Sequence, residues 1–441
     1  MIKTPIADFL DGYEKSGAAR FHMPGHKGRG AVESLDITEI DGAGDLFSRR
    51  GIIAESEEIA SSLFGCRTYY STEGSTLAIK TMTSLAMMRA KGKVLAGRNA
   101  HRAFIAASAL NGFDVEWIAP GDDESYISCD ITPERLARSI ESLGEDLSFV
   151  YITSPDYLGN IADVEGLARV CEDHGTVLLV DCAHGAYLKF LEKSAHPIDL
   201  GAYMCASSAH KTLPVLTGGA YLHLSKRANE RFPDVKDTMS YFASSSPSYL
   251  IMRSLDLANS YLEAFPEKLA RFTRRIGEIK SRLDGAGYSL EGDEALKITI
   301  SAKEYGYTGG AIASFLKEYG VVPEFYDRDF VTFMLSPSNT DEEIEALKNS
   351  LLKIKRKAPL TEALPSFCKP RRIMSPREVF LEESEHVEVR DAVGRIIGAT
   401  VSCPPAVPIA VCGELIDENV AKRLEYYGIE EVYAVKRKVS F

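Results

Sequence analysis

At 441 residues the chain is too long for one hydrophobic core, so two or three domains are expected. Hydrophobic residues make up 45% and charged residues 26%, the balance of a globular protein, and no apolar run reaches the roughly 18 residues a membrane helix needs. The 63 acidic against 51 basic residues give a formal charge of −12, which argues against a nucleic-acid partner and favours approach of a cationic small molecule.

The N-terminal MIKTPIADFLDGYEKSG lacks the basic start, apolar core and small-residue cleavage site of a signal peptide, so a cytoplasmic location is expected. From about residue 55 to 225, short apolar runs alternate with amphipathic stretches. KVLAG (93–97), DVEWIA (114–119), LSFVYITS (147–154), TVLLVD (176–181), AYMCASS (202–208) and GAYLHL (219–224) read as strands. Helical patterns lie between them, such as TPERLARSIESLG (132–144), which opens on a threonine cap. Near-continuous apolar strands alternating with helices imply a mainly parallel sheet covered on both faces. A long helical pattern over about 248–285 is kinked or divided at Pro266. A smaller α/β region follows with ALKITIS, GGAIASFLKEYG and DEEIEALKNSLLKI, then the Pro-rich basic linker KAPLTEALPSFCKPRRIMSP. The last segment carries short strands and the rigid turn SCPPAVPIAVCGE. The expected domains are 1–265 (N-terminal segment and large domain), 266–360 (small α/β domain) and 361–441 (C-terminal domain). The eight cysteines (66, 129, 171, 182, 205, 368, 403 and 412) contain no CxxC pair. They read as reduced, mostly buried thiols rather than a disulfide framework or a zinc site, and no metal is expected.

Ligands of a parallel α/β sheet bind at the carboxyl ends of its strands. Read in order, the residues just after the strands are STEGST (71–76), GRNAHR (97–102), TSPDYLGN (153–160), DCAHG (181–185) and SSAHKT (207–212). They supply carboxylic acids, hydroxyls, three histidines and one lysine, an inventory that suits pyridoxal 5'-phosphate. That cofactor needs a lysine amine, an acid to keep its ring nitrogen protonated, a phosphate cup and a flat group against its ring. Lys211 would be the Schiff-base lysine, because burial lowers an amine's pKa and makes it a usable nucleophile. Asp181, ending the most apolar strand, would pair with the ring nitrogen. Gly74, Ser75 and Thr76 at a strand-to-helix turn would cradle the phosphate. His101 would stack on the ring, and His184 and His210 would hydrogen-bond cofactor or substrate. Taken singly, each has an ordinary structural explanation as a turn former, cap or satisfied core histidine. Their coincidence at one end of one sheet is what points to a cofactor.

These residues also carry a resemblance. FHMPGHKG (21–28), DCAHG, SAHKTLPVLT (208–217) and SSPSYLIMRSLD (245–256) resemble the Orn/Lys/Arg decarboxylases of the fold-type I pyridoxal-phosphate superfamily. The tail VGRIIGATVSCPPAVPIAVCGE (393–414) is similar to that family's C-terminal domain. The resemblance covers residues 20 to about 435 and matches the short form, without an extra N-terminal domain. It implies an aspartate-aminotransferase-like large domain with a mainly parallel sheet, a smaller α/β domain and a decarboxylase-type α+β segment. By resemblance, Lys211, Asp181, His101 and His184 are catalytic, and Ser75, Thr76, Ser208 and His210 approach the phosphate. It further implies a homodimer with the active site near its interface, and decarboxylation of lysine, arginine or ornithine, a step of polyamine biosynthesis.

Some positions depart from the family pattern: Glu73 before the phosphate turn, Arg102, Cys182, Asp156 in place of a small hydroxyl residue, LTGG without a glutamine, Ala406 in PPAVP, and Cys412. Three further carboxylates, Asp41, Asp45 and Glu414, are candidates to meet a cationic side chain, and His22, His26 and Lys27 to line the site. Two other readings stay open: transamination or elimination on the same cofactor, with Arg395 among the arginines available to a second carboxylate, and a silent cofactor-binding homologue with a regulatory role.

Overall fold

The computed structural model describes residues 2–30, 33–121, 125–144, 147–403 and 407–437. Its central feature is a seven-stranded sheet of β1 (Arg67–Ser71), β2 (Lys93–Gly97), β3 (Val115–Ile118), β4 (Leu147–Thr153), β5 (Leu178–Asp181), β6 (Met204–Ser207) and β7 (Ala220–Leu224). Their order is β1-β7-β6-β5-β4-β2-β3. β2 runs parallel to β3 and β4, and β5 parallel to β6, while β7 is antiparallel to both β1 and β6. β4 to β7 are buried along nearly their whole lengths, as a sheet covered on both faces requires. The six strands expected from the sequence are present. β1 was not among them, because RTYYS is mostly polar or tyrosine and has no aliphatic run.

The chain divides into two compact units, Met1–Lys91 with Val164–Ala270, and Gly92–Asp163 with Arg271–Phe441. In the first, helix Gly74–Arg89 buries residues on most of its circumference, from Leu77 through Ala86. It is therefore an interior helix, placed with its N-terminus just beyond β1. The long helical pattern splits into Tyr249–Glu263 and Phe265–Gly285. Pro266 sits in the first turn of the second helix, where its missing N–H leaves no bond unmade.

In the second unit, β8 (Leu290–Glu291), β9 (Lys297–Ser301), β10 (Phe325–Tyr326) and β11 (Phe330–Met334) form an antiparallel sheet ordered β10-β11-β9-β8. Ile298, Ile300, Val331 and Phe333 pack from this sheet against Leu316 of helix Gly309–Lys317 and against Ile344 and Leu351 of helix Asp341–Lys353. Beyond the linker, β12 (Ser384–Glu388) pairs with β15 (Glu431–Val435), and β13 (Val401–Cys403) with β14 (Val407–Ala410). Val389, Ile397, Ile409, Ile416, Leu424 and Val432 form a second core there. Residues 404–406, including Ala406 of PPAVP, lie outside the described residues. Among the described residues, no helix is long and apolar enough to cross a membrane.

Candidate active site

In the first unit the predicted residues lie on turns that hydrogen-bond to one another. Asp181 ends β5 with its side chain buried, and its Oδ1 accepts the Ala183 amide at 3.1 Å. The Cys182 amide donates to Ala206 (2.8 Å) and the Ser208 amide to Ala183 (3.3 Å), so the turn after β5 is tied to the turn after β6. His184 is buried on the first of these turns. Lys211 is half-buried in the short helical turn Ala209–Thr212, its amide donating to Ser208. The His210 amide donates to the Gly219 carbonyl at 3.1 Å, and its ring Nδ1 lies 2.9 Å from the same oxygen. A carbonyl can only accept, so Nδ1 carries the proton.

The Gly74 amide donates to Gly218 at 2.7 Å, which brings EGST beside the same Gly-Gly segment that holds His210. Gly218 has a φ of 100°, and a Cβ there would lie 2.9 Å from the Thr72 carbonyl, so this close approach requires glycine. The Gly-Gly pair figured in the sequence only as a departure. Its signal was two glycines immediately before a strand. Ser75 and Thr76 occupy the first turn of helix Gly74–Arg89, where unsatisfied amides and the positive end of the helix dipole favour an anion. Glu73 does not leave a bare charge at this turn, because its Oε1 accepts the Ser244 amide at 2.6 Å.

The other first-unit candidates are engaged locally. Asp45 accepts the Phe47 amide at 3.0 Å within its own turn. The carbonyls of Leu46 and Ser48 accept from Lys236 Nζ at 2.8 and 2.9 Å, and Lys236 is itself paired with Glu57 at 2.6 Å. Neither member of that buried pair was singled out in the sequence. The MPGHKG loop is closed by its own bonds: His22 Nε2 to Tyr13 Oη (2.6 Å), Lys27 Nζ to the His22 carbonyl (2.6 Å), and His26 Nε2 to Asp36 (3.2 Å). Asp41 is exposed.

In the second unit His101 is half-buried and N-caps helix Arg102–Asn111, its Nδ1 accepting the Ala103 amide at 3.1 Å. A neutral ring in this setting carries its proton on Nε2. Arg102 is the first residue of that helix. Asp156 is an internal brace: its carboxylate accepts the amides of Gly159 and Asn160 (2.9 Å each), Ser128 Oγ and Asn160 Nδ2 (2.8 Å each). Burial pushes its carboxyl above the usual range, and these bonds pull the other way. Two expectations are corrected here. Glu414 is not open to a cationic substrate, because it is buried against Arg98 at 2.8 Å and also accepts the Val411 amide at 2.8 Å. Arg395 is held by Glu385 (2.6 Å) and the Val435 carbonyl (2.8 Å).

The first-unit residues fit pyridoxal phosphate. A half-buried amine and a buried carboxylate stand on adjoining turns, and a helix N-terminus with two hydroxyls stands on a third. Among the described residues, the hydroxyls of Ser207 and Thr212, flanking the Ser208–Lys211 turn, are buried without a hydrogen-bond partner. A large, mainly parallel sheet with these residues at its strand ends is the architecture of the fold-type I pyridoxal-phosphate enzymes.

The model of the family "Orn/Lys/Arg decarboxylase, major domain" matches residues 4–292, and the chain belongs to that family of pyridoxal-phosphate-dependent decarboxylases. An arginine decarboxylase from Halalkalibacterium halodurans is 28% identical, covering 95% of this chain and 92% of its own. The uncharacterized protein YaaO from Bacillus subtilis is also 28% identical, over 96% of this chain and 94% of its own. Among solved structures, a lysine decarboxylase from Francisella novicida has a TM-score of 0.80 at 16% identity, covering 99% of this chain and 81% of that one. At that identity the likeness is one of fold.

Proposed function

We propose that the chain binds pyridoxal 5'-phosphate and decarboxylates a basic amino acid, with arginine as the preferred substrate over lysine and ornithine. The observation that carries this reading is the hydrogen-bonded nest joining Gly74, Asp181, Ser208, His210 and Lys211 in a chain of this family. The names of its arginine decarboxylase relatives support arginine. Bound in the nest, the cofactor supplies the electron sink that lets an α-carboxylate leave as carbon dioxide. Asp181 holds a proton on the cofactor's ring nitrogen. Ser75, Thr76, Ser208 and His210 hold the phosphate with the helix amides at Gly74. Lys211 Nζ anchors the cofactor and shuttles the proton that replaces the lost carboxylate at Cα. His101 and His184 orient the ring and the substrate. Asp156, whose carboxylate is taken up by its own loop and by Ser128, leaves the reaction unchanged.

The enzyme works as a cytoplasmic homodimer in this reading. Phe21 and Tyr241, 94% and 84% exposed, are apolar groups that a second copy would cover. The test is a product assay by mass spectrometry: purified protein with the cofactor, incubated separately with arginine, lysine and ornithine. Agmatine is expected first, ahead of cadaverine and putrescine. Cofactor uptake without any amine product would favour the regulatory homologue, and a keto-acid product would favour transamination.

A further inference from the structure

The loop from β2 to helix Arg102–Asn111 is four residues long, and its two ends do different work. His101 closes it as the helix cap. Arg98 opens it: its amide donates to the Ile118 carbonyl at 3.1 Å, and its side chain turns into the interior, 2% exposed. There the guanidinium lies 5.3 Å from the Trp117 ring centre and 5.9 Å from that of Phe367. Among the described residues its one counter-charge is Glu414, 316 residues away in sequence. Among the described residues, Nε and Nη1 of Arg98 have no hydrogen-bond partner.

Glu414 is itself held in place. Its Oε2 accepts from both Arg98 and the Val411 amide, and its own amide and carbonyl are engaged by Val411 and Ile397. Gly413 before it has a φ of 92°, and a Cβ there would collide with the Met374 carbonyl. A second guanidinium, that of Arg423, is 96% buried, packs 4.8 Å from the Phe367 ring centre, and among the described residues has no hydrogen-bond partner for any of its three nitrogens. Burial and the Arg98 charge both press its pKa down. One carboxylate thus offsets two buried cations. Without it, two uncompensated guanidiniums share one dry region, a cost of the kind that breaks buried pairs. The cheapest relief is for Arg98 to leave, and Arg98 leaves only by moving the loop that ends in His101.

We propose that Glu414, in the C-terminal segment, is a positioning residue for His101, acting through Arg98 to fix the loop 98–101. This rests on the reading of His101 as the group against the cofactor ring. The pair sets where the imidazole stands, and so how the ring is held, without touching substrate.

The test compares wild type, Glu414→Gln, the paired variant Arg98→Met with Glu414→Leu, and His101→Ala, each as cofactor-loaded enzyme. Cofactor affinity, the visible circular dichroism of the bound cofactor, kcat and KM are measured, together with emission from Trp117, the chain's single tryptophan. Glu414→Gln is expected to weaken cofactor binding about tenfold and to halve the dichroic band. It should lower kcat at least tenfold with KM within twofold, and shift Trp117 emission as Arg98 withdraws. The paired variant removes Arg98 and Glu414 together, so that Arg423 is the one charge left in this cluster and has no second guanidinium beside it, yet the variant should keep the weakened band and affinity. A wild-type band and affinity in the paired variant, or in Glu414→Gln with only a lower melting temperature, would reduce the pair to a purely structural role and overturn the proposal. If His101→Ala itself leaves the band and affinity unchanged, the assignment of His101 fails instead.

Discussion

Lys236→Met is the substitution with the largest stability cost we expect outside the site. Lys236 and Glu57 have side chains 4% and 0% exposed and lie 2.6 Å apart. Removing the amine leaves a carboxylate with no counter-cation in the interior, typically a loss of about 3–5 kcal/mol. It also takes the donor from the Leu46 and Ser48 carbonyls, which adds up to about 1 kcal/mol each. For a unit of this size the total of about 3–7 kcal/mol corresponds to roughly a 6–28 °C fall in melting temperature. Scanning calorimetry at pH 8 reads it directly. The variant should be less impaired at pH 5. Burial raises the Glu57 pKa in the folded state, so its neutral form is favoured at low pH, and the penalty grows as pH rises through that value. Replacing both residues, Glu57→Leu with Lys236→Met, should recover at least half of the loss. A melting temperature within 2 °C of wild type for the single variant would refute the reasoning, because it would mean that the carboxylate finds water or a proton at little cost.

Asp256 caps the N-terminal helix through the Ile6 and Ala7 amides (3.0 and 2.9 Å), and burial, the dominant cause, pushes its carboxyl up to about 6. Its contribution is full below the unfolded pKa near 4 and is lost as pH rises through about 6; relative to Asp256→Asn, wild type should gain roughly 2 kcal/mol in urea unfolding between pH 7 and pH 4. A pH-independent difference would rule this out. Asp156→Ala strips four hydrogen bonds from a buried loop and should cost roughly 2–4 kcal/mol while leaving the order of preference among arginine, lysine and ornithine intact; a changed order in the product assay would give Asp156 a part in substrate recognition. Asp181→Ala should bind the cofactor weakly and turn over roughly 10²–10³ times more slowly, from loss of a preorganised electrostatic partner, and near-wild-type turnover in a steady-state assay would refute its assignment.

What could be read in the sequence follows from how local each signal is. The aliphatic strands announced themselves, and with them the turns at their ends, because burial on both faces writes itself into four or five consecutive residues. RTYYS did not, since its partner is β7, some 150 residues on, and tyrosines opposite one another, Tyr70 against Tyr221, carry no local pattern. The same division holds at the site. Lys211, Asp181 and the EGST turn stood out as candidates because each puts unusual chemistry at a predictable place. Glu414 was noticed but misassigned, and Lys236 was passed over, because a charge that neutralises another charge far along the chain looks in sequence like any solvated surface residue. Burial is what separates the two cases. An exposed carboxylate near the site is free to meet a cationic substrate; one sealed against a guanidinium acts only through what that guanidinium holds. For Glu414 the guanidinium holds the loop of His101. If the substrate is the basic amino acid proposed above, its cationic end is met by carboxylates other than Glu414 and Asp156, since both are already committed to the protein's own donors.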